Sequence, residues 1–424
     1  MKKFACLFLS FLLLALGCTG GEDPGTNPGE ESPPYYAEND HLTVDKSRLY
    51  GIAEPFWEKK ENSEEFQVKG FDKEVMTGHL EALGTTSVRF MFPQKIFKKY
   101  AMYGENDFEI ELDSEIEAYL KECLALLSDA GVKHIIGEAA IYPKPQGFAG
   151  GYLSLTVPSR EEECYADWCA LLSELWKTLA ASFPEITYWE MGNETNCYSY
   201  MSPVSGRFSF EEQAAVNTDL MYYASKGIRA GNPNAYTVTP GWTSLGTMTE
   251  YADSLTDVGY SIPLFLEQIY KNIASGEFPY GETKSTEIED YFQCIGYHPY
   301  EYRDWSGWVE GNERVFEVID KYDTVARKVL LTEMGWPDYG DPEEMTKQEI
   351  WIAELYERCA AMPQVETVCY FRLYDCAYAS QWGSGAERSF GLFTEPEEEG
   401  GAFAPKQKAV VLQEIFGGTK PLEI

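Results

Sequence analysis

Eight short apolar runs, each followed by a stretch of helical period, restrict this chain more than any other feature. The runs fall at residues 48–53, 87–92, 132–138, 186–193, 235–240, 293–298, 328–333 and 365–373. Helix-like stretches lie near 72–83, 113–130, 161–182, 211–230, 311–326, 343–361 and 406–416. Residues 249–275 read as helical in part, interrupted by Gly259 and Pro263. Asp113 and Ser159 have the side chains of N-caps, and Gly131 stands where a helix would stop. Strands joined through helices run parallel, because each crossover returns the chain in the same direction. Strands apolar throughout must be covered on both faces. Such a series implies an α/β fold, a (β/α)8 TIM barrel in one domain over residues 41–424. An open doubly wound sheet lacks its markers: no G-x-G-x-x-G turn follows the first run, and no G-x-x-x-x-G-K occurs.

Residues 1–18 have the layout of an export signal: Lys2 and Lys3, an apolar stretch over 4–16, then Gly17-Cys18. The stretch is too short to span a bilayer. Leu14-Ala15-Leu16-Gly17-Cys18 resembles a bacterial lipobox, in which Cys18 would carry the lipid. Cleavage without lipidation is the other reading, since Ala15 is less usual there than a larger aliphatic residue. Residues 19–40 are rich in Gly, Pro and acids and bury too little to order themselves, so they read as a tether. The expected setting is the bacterial envelope, with the chain a monomer held at a membrane by its lipid.

The net charge of −35 disfavours nucleic acid and anionic polysaccharide as partners. Lys95, Lys98 and Lys99 form the one small basic cluster and read as a solvated helix face. Downstream of the signal the cysteines are Cys123, Cys164, Cys169, Cys197, Cys294, Cys359, Cys369 and Cys376. None has zinc-ligand spacing and the chain has only 4 histidines, so no metal or other cofactor is expected. Several cysteines sit in apolar runs, where a buried thiol is the expected state; no pairing is assigned.

Two acids close runs of the strand set. Glu194 ends Trp189-Glu190-Met191-Gly192-Asn193-Glu194, and Glu333 ends Leu330-Leu331-Thr332-Glu333 before Met334-Gly335-Trp336. They fall on the fourth and seventh strands. Arg89 lies in Val88-Arg89-Phe90 on the second, and the sixth ends in Gly296-Tyr297-His298-Pro299-Tyr300. Together these segments resemble clan A of the glycoside hydrolases, (β/α)8 barrels with an Asn-Glu pair after strand four and a nucleophilic Glu ending strand seven. The resemblance implies Glu194 as acid/base, Glu333 as nucleophile and Asn193 as partner of the sugar 2-hydroxyl. It also implies Arg89 as the cation beneath the nucleophile, Tyr300 as a donor to it, and His298 in binding or orientation. Glu194 would protonate the leaving oxygen while Glu333 attacks the anomeric carbon, with carboxyls about 5 to 5.5 Å apart.

Glu138 reads as a cleft or inner-barrel residue. Glu190 reads as lying low in the barrel, on the same side of its strand as Glu194. The clan places a tryptophan at the end of strand eight as a sugar platform. This chain has Cys369-Tyr370-Phe371-Arg372-Leu373-Tyr374-Asp375 there, leaving Phe371, Tyr374 or Trp382 as substitutes. Trp242 and Trp336, just past strand ends, are further candidate platforms, because flat aromatic faces cover sugar C–H patches.

The leading expectation is a retaining glycosidase acting on a neutral poly- or oligosaccharide. The alternative is a barrel without turnover that binds glycan for an uptake system, against which both intact glutamates count. A Ser-His-Asp hydrolase lacks the G-x-S-x-G elbow, and a metal-dependent hydrolase lacks a cluster such as H-E-x-x-H.

Overall fold

The strand and helix order of the sequence closes on itself. The computed structural model describes residues 42–55, 73–104, 107–143, 149–150, 156–203, 205–244, 259–278, 284–300, 305–338, 342–375, 389–394 and 402–423. The expected signal, Cys18 and the tether lie outside them. The barrel strands are β1 (Tyr50–Ala53), β2 (Ser87–Met91), β3 (His134–Glu138), β4 (Tyr188–Glu190), β5 (Tyr236–Val238), β6 (Cys294–His298), β7 (Lys328–Met334) and β8 (Val365–Phe371). Each is parallel to its neighbours, and β8 pairs back onto β1 through Ala53↔Phe371, so no edge remains. Past β5, a short segment Trp242–Thr243 continues the ladder beside β6.

The helices are α1 (Lys73–Leu83), α2 (Ser114–Asp129), α3 (Tyr165–Ser182), α4 (Phe210–Gly231), α5 (Ile262–Ser275), α6 (Trp305–Tyr322), α7 (Pro342–Ala361) and α8 (Gln407–Phe416). The carboxylate of Asp113 caps α2 by accepting from Glu115 and Ile116 N–H, and Gly131 follows that helix at φ 88°. Ser159 is not an N-cap. Its N–H donates to Glu162 and α3 begins only at Tyr165. Pro263 does not interrupt the fifth helix; it sits in the first turn, where its missing N–H costs nothing.

The lysine cluster is also corrected. Lys98 and Lys99 lie on a strand, Phe97–Gly104, which pairs antiparallel with Asp107–Leu112 and with Ala149–Gly150. Lys98 meets Glu111 at 2.6 Å and Lys99 meets Glu109 at 2.5 Å across the hairpin. The alternation Asp107-Phe108-Glu109-Ile110-Glu111-Leu112 was the available signal for it.

Inside the barrel, Ala53, Ile136, Tyr188, Val238, Cys294, Leu330, Cys369 and part of Phe371 pack together. The larger apolar layer lies between the barrel and the helices. Cys123, Cys169, Cys197, Cys294, Cys359 and Cys369 are buried free thiols, as expected of cysteines in apolar runs, and Cys164 is half-buried. No described helix is long and apolar enough to cross a membrane.

Candidate active site

Arg89 is the centre of the barrel mouth. It points inward from β2, is fully buried, and divides its donors among four partners. Nη1 donates to Glu333 at 2.5 Å and to Glu54 at 3.1 Å, Nε to Glu190 at 2.8 Å, and Nη2 to Asn193 Oδ1 at 2.8 Å. Fixing the amide oxygen of Asn193 on the guanidinium turns its NH2 the other way. Glu190 accepts a second bond from Thr332 at 2.6 Å, so it belongs to the support of Arg89, deep in the barrel as expected.

The two sequence-nominated acids meet. Tyr300 donates to Glu333 at 2.9 Å, and His298 Nδ1 lies 3.0 Å from Glu194 and 3.6 Å from Glu333. Their nearest ligating atoms all fall within 4.8 Å of one another. This trio is the one group among the described residues with spacing for a cation. The groups are already engaged with each other, Arg89 and Tyr300, and the cluster needs no ion to account for it. Burial works to raise the Glu333 carboxyl, but the His298 charge, Arg89 and the Tyr300 hydrogen bond outweigh it, so Glu333 is held below the usual range. Burial works against a charged His298, yet Glu333 and Glu194 raise it overall. For Glu54, burial leads and the Glu333 charge adds to it, lifting the carboxyl above its ordinary value despite Arg89.

Each mouth carboxylate is aimed by a break in regular backbone. Glu54 and Glu194 are the two described non-glycine residues with left-handed backbone, each at φ 47°. Inward Ala53 precedes Glu54, so plain strand alternation would send Glu54 outward; the left-handed turn brings it back over the mouth. The same applies after β4, where Gly192 at φ 120° and Glu194 end the alternation assumed for Glu190 and Glu194. On β7 the register with β8 breaks between Leu331 and Met334, which lets Thr332 and Glu333 both reach the site. Gly241 makes the room: a Cβ there would stand 2.6 Å from Glu190 Oε1 and closer still to His298 Nε2.

The aromatic expectations fare worse. Trp242 is fully buried, donates to Thr195 Oγ1 at 3.2 Å and packs edge-on against Phe265, so it is no sugar platform. Trp336 keeps only 6% exposure and meets Trp351 edge-on, so it too is a packing residue. Position after a strand end was a poor guide, because such rings also seal the barrel against its helices. Tyr374 is buried on His79. Phe371 is half-buried at the mouth against Phe390, which also packs on Tyr300, and Trp382 lies outside the described residues. Of the two readings for Glu138 the inner-barrel one holds: it lies on the same side of β3 as inward Ile136. It is fully buried with neither oxygen partnered among the described residues, and burial pushes its carboxyl well up. Glu54 was missed, since nothing in Ala53-Glu54-Pro55 announces a left-handed turn.

No known family profile matches this chain, and no curated protein does. Solved structures do match. A β-glucosidase from Thermotoga maritima in complex with castanospermine aligns at TM-score 0.56 and 14% identity, over 90% of this chain and 100% of that one. GH5_18 from Streptomyces cattleya aligns at 0.55 and 14%, over 89% and 82%. Xylanase 10B from Thermotoga maritima aligns at 0.52 and 15%, over 88% and 96%. At such identity the likeness establishes the fold: this chain is a (β/α)8 barrel.

Proposed function

We propose that this protein is a retaining glycoside hydrolase that cleaves β-glycosidic bonds of a neutral poly- or oligosaccharide. The observation that carries the reading is the spacing of Glu194 and Glu333, whose nearest ligating atoms lie within 4.8 Å. Such close approach accords with the carboxyl separation of about 5 to 5.5 Å in retaining enzymes. The two carboxyls have different partners. Glu333, held ionised by Arg89, His298 and Tyr300, is equipped to attack the anomeric carbon. Glu194, with His298 Nδ1 on one oxygen, is placed to give a proton to the leaving oxygen and then to take one from the water that releases the sugar. Asn193, oriented by Arg89, is placed for the sugar 2-hydroxyl. The solved neighbours include a β-glucosidase and a xylanase, which supports β-glycosides as the bond class. Charge supports a neutral glycan, and the lipobox-like Cys18 supports a lipid-anchored envelope protein.

The test is reducing-sugar release by the chain lacking residues 1–18 across neutral β-glucans, mannans, xylans and galactans, beside Glu333→Ala. Turnover of one glycan that disappears in the variant is the expected result. Glycan binding without turnover, equal in both proteins, would overturn the reading in favour of a binding protein.

A further inference from the structure

We propose that Glu54 is a sugar-binding residue, accepting hydroxyl protons from the ring whose anomeric carbon faces Glu333 and so selecting a neutral sugar with a free hydroxyl there. The inference rests on the glycosidase reading and deepens it. Glu54 and Glu333 flank the same Arg89 nitrogen, Nη1, at 3.1 and 2.5 Å, so a ring held at the nucleophile is within reach of both. Arg89 has no need of Glu54 for its charge, because Glu190 and Glu333 already oppose it. A fifth of the Glu54 side chain stays open, at 20% exposure, and only its Oε1 is hydrogen-bonded among the described residues, with the Arg372 charge also acting on the carboxyl. The backbone is held left-handed to place it there, and its N–H donates to Arg89 O at 2.9 Å to lock the turn. Residues kept in such conformations cluster at ligand sites. A carboxylate beside a second carboxylate repels a uronate or sulfated ring and attracts paired hydroxyls, whose protons it can take on either oxygen.

The proposal is tested with nitrophenyl β-glycosides of the sugar that the glycan panel identifies, together with each monodeoxy analogue, on the wild type, Glu54→Ala and Glu54→Gln. Glu54→Ala is expected to lower kcat/KM on the parent glycoside about ten- to a hundredfold, the range for a hydrogen bond to a charged group. One monodeoxy analogue should cost the wild type a similar factor and cost Glu54→Ala about twofold or less beyond its own loss, because the lost hydroxyl and the lost carboxyl are the two ends of one contact. Glu54→Gln keeps one acceptor and should fall between. If thermal melts show that the alanine variant does not fold, the same cycle is read with the glutamine variant. Equal further losses for every analogue, or no loss in either variant, would overturn the proposal. Failure of the underlying reading looks different: the wild type would then turn over no glycoside at all, or Glu333→Ala would turn over the parent glycoside as fast as the wild type.

Discussion

Both ends of the barrel bury an ion cluster, and the two differ in balance. At the bottom, Glu366 on β8 lies 3.1 Å from Lys328 and 3.3 Å from Arg48, accepts from the Tyr188 hydroxyl, and takes the Asp45 N–H at 3.0 Å. Asp45 in turn lies 3.4 Å from Arg48, so cations and carboxylates match. At the mouth, one guanidinium faces Glu54, Glu190 and Glu333. Arg89, with the Arg372 charge also acting on Glu54, is outnumbered by these acids, and Glu333 and Glu194 draw the His298 pKa upward. A matched cluster staples the fold, whereas one short of cations keeps groups ready to exchange protons. Conserving a barrel bottom for stability and its mouth for chemistry is the general pattern of this architecture.

The largest effect that separates the two ends is Glu333→Gln against Glu366→Gln. Under the proposed mechanism, losing the Glu333 carboxylate should lower kcat by about 10⁴-fold or more. Glu333 is itself held below its usual range by His298, Arg89 and Tyr300, so the change should also lower the urea midpoint, though by less than the Glu366 change, because Arg89 keeps Glu190 and Glu54. Glu366→Gln leaves Lys328, 2% exposed, without its charge partner and should cost about 3 to 5 kcal/mol of stability, while kcat per folded molecule stays near wild type. A Glu333→Gln protein as destabilised as Glu366→Gln would break the comparison.

A smaller effect probes the space around the mouth. Gly241→Ala forces apart His298 and Glu190, which an added Cβ would crowd. A shift of about 1 Å in such a site costs on the order of 100-fold in rate, and overpacking costs about 1 to 3 kcal/mol in stability. Steady-state kinetics and urea melts of this variant should therefore show a rate loss out of proportion to the stability loss. Proportionate losses would mean that Gly241 serves packing alone.

The strand frame was far more legible in the sequence than the finer geometry of the mouth, and nothing in the sequence announced the Glu366 cluster at the bottom. Apolar runs marked every barrel strand because burial on both faces leaves a period-free signature, and the helices between them followed from their own period. Arg89, Asn193, Glu194, His298, Tyr300 and Glu333 were readable as motif residues, and the structure brings them together. Glu54, the role of Glu190 and the need for Gly241 were not. Each depends on a left-handed residue, a register break or a missing side chain, and none of these leaves a periodic trace. Trp242 and Trp336 misled for the opposite reason: a ring past a strand end looks the same in sequence whether it faces sugar or seals the wall.

Two buried histidines carry the same contrast into pH dependence. His298, in the mouth, is raised by Glu333 and Glu194 against its burial. His79, away from the mouth, stacks on Phe393 at 3.9 Å and meets the Tyr374 hydroxyl at 2.9 Å, and burial pushes it down from 6.5 to about 4. A depressed histidine binds its proton only in the unfolded chain, so its contribution is present above pH 6.5 and is lost as pH falls toward about 4. At 1.36 kcal/mol per unit that amounts to about 3 kcal/mol. His298 has the opposite sign: its contribution is full below the unfolded value near 6.5 and is lost only as pH rises through its raised folded value. Urea midpoints between pH 7 and 4.5 should therefore fall in the wild type and in His298→Gln, and fall less steeply in His79→Gln. If His298→Gln flattens the acid slope instead, then His298 is neutral in the folded mouth and the protons there reside on the carboxyls alone.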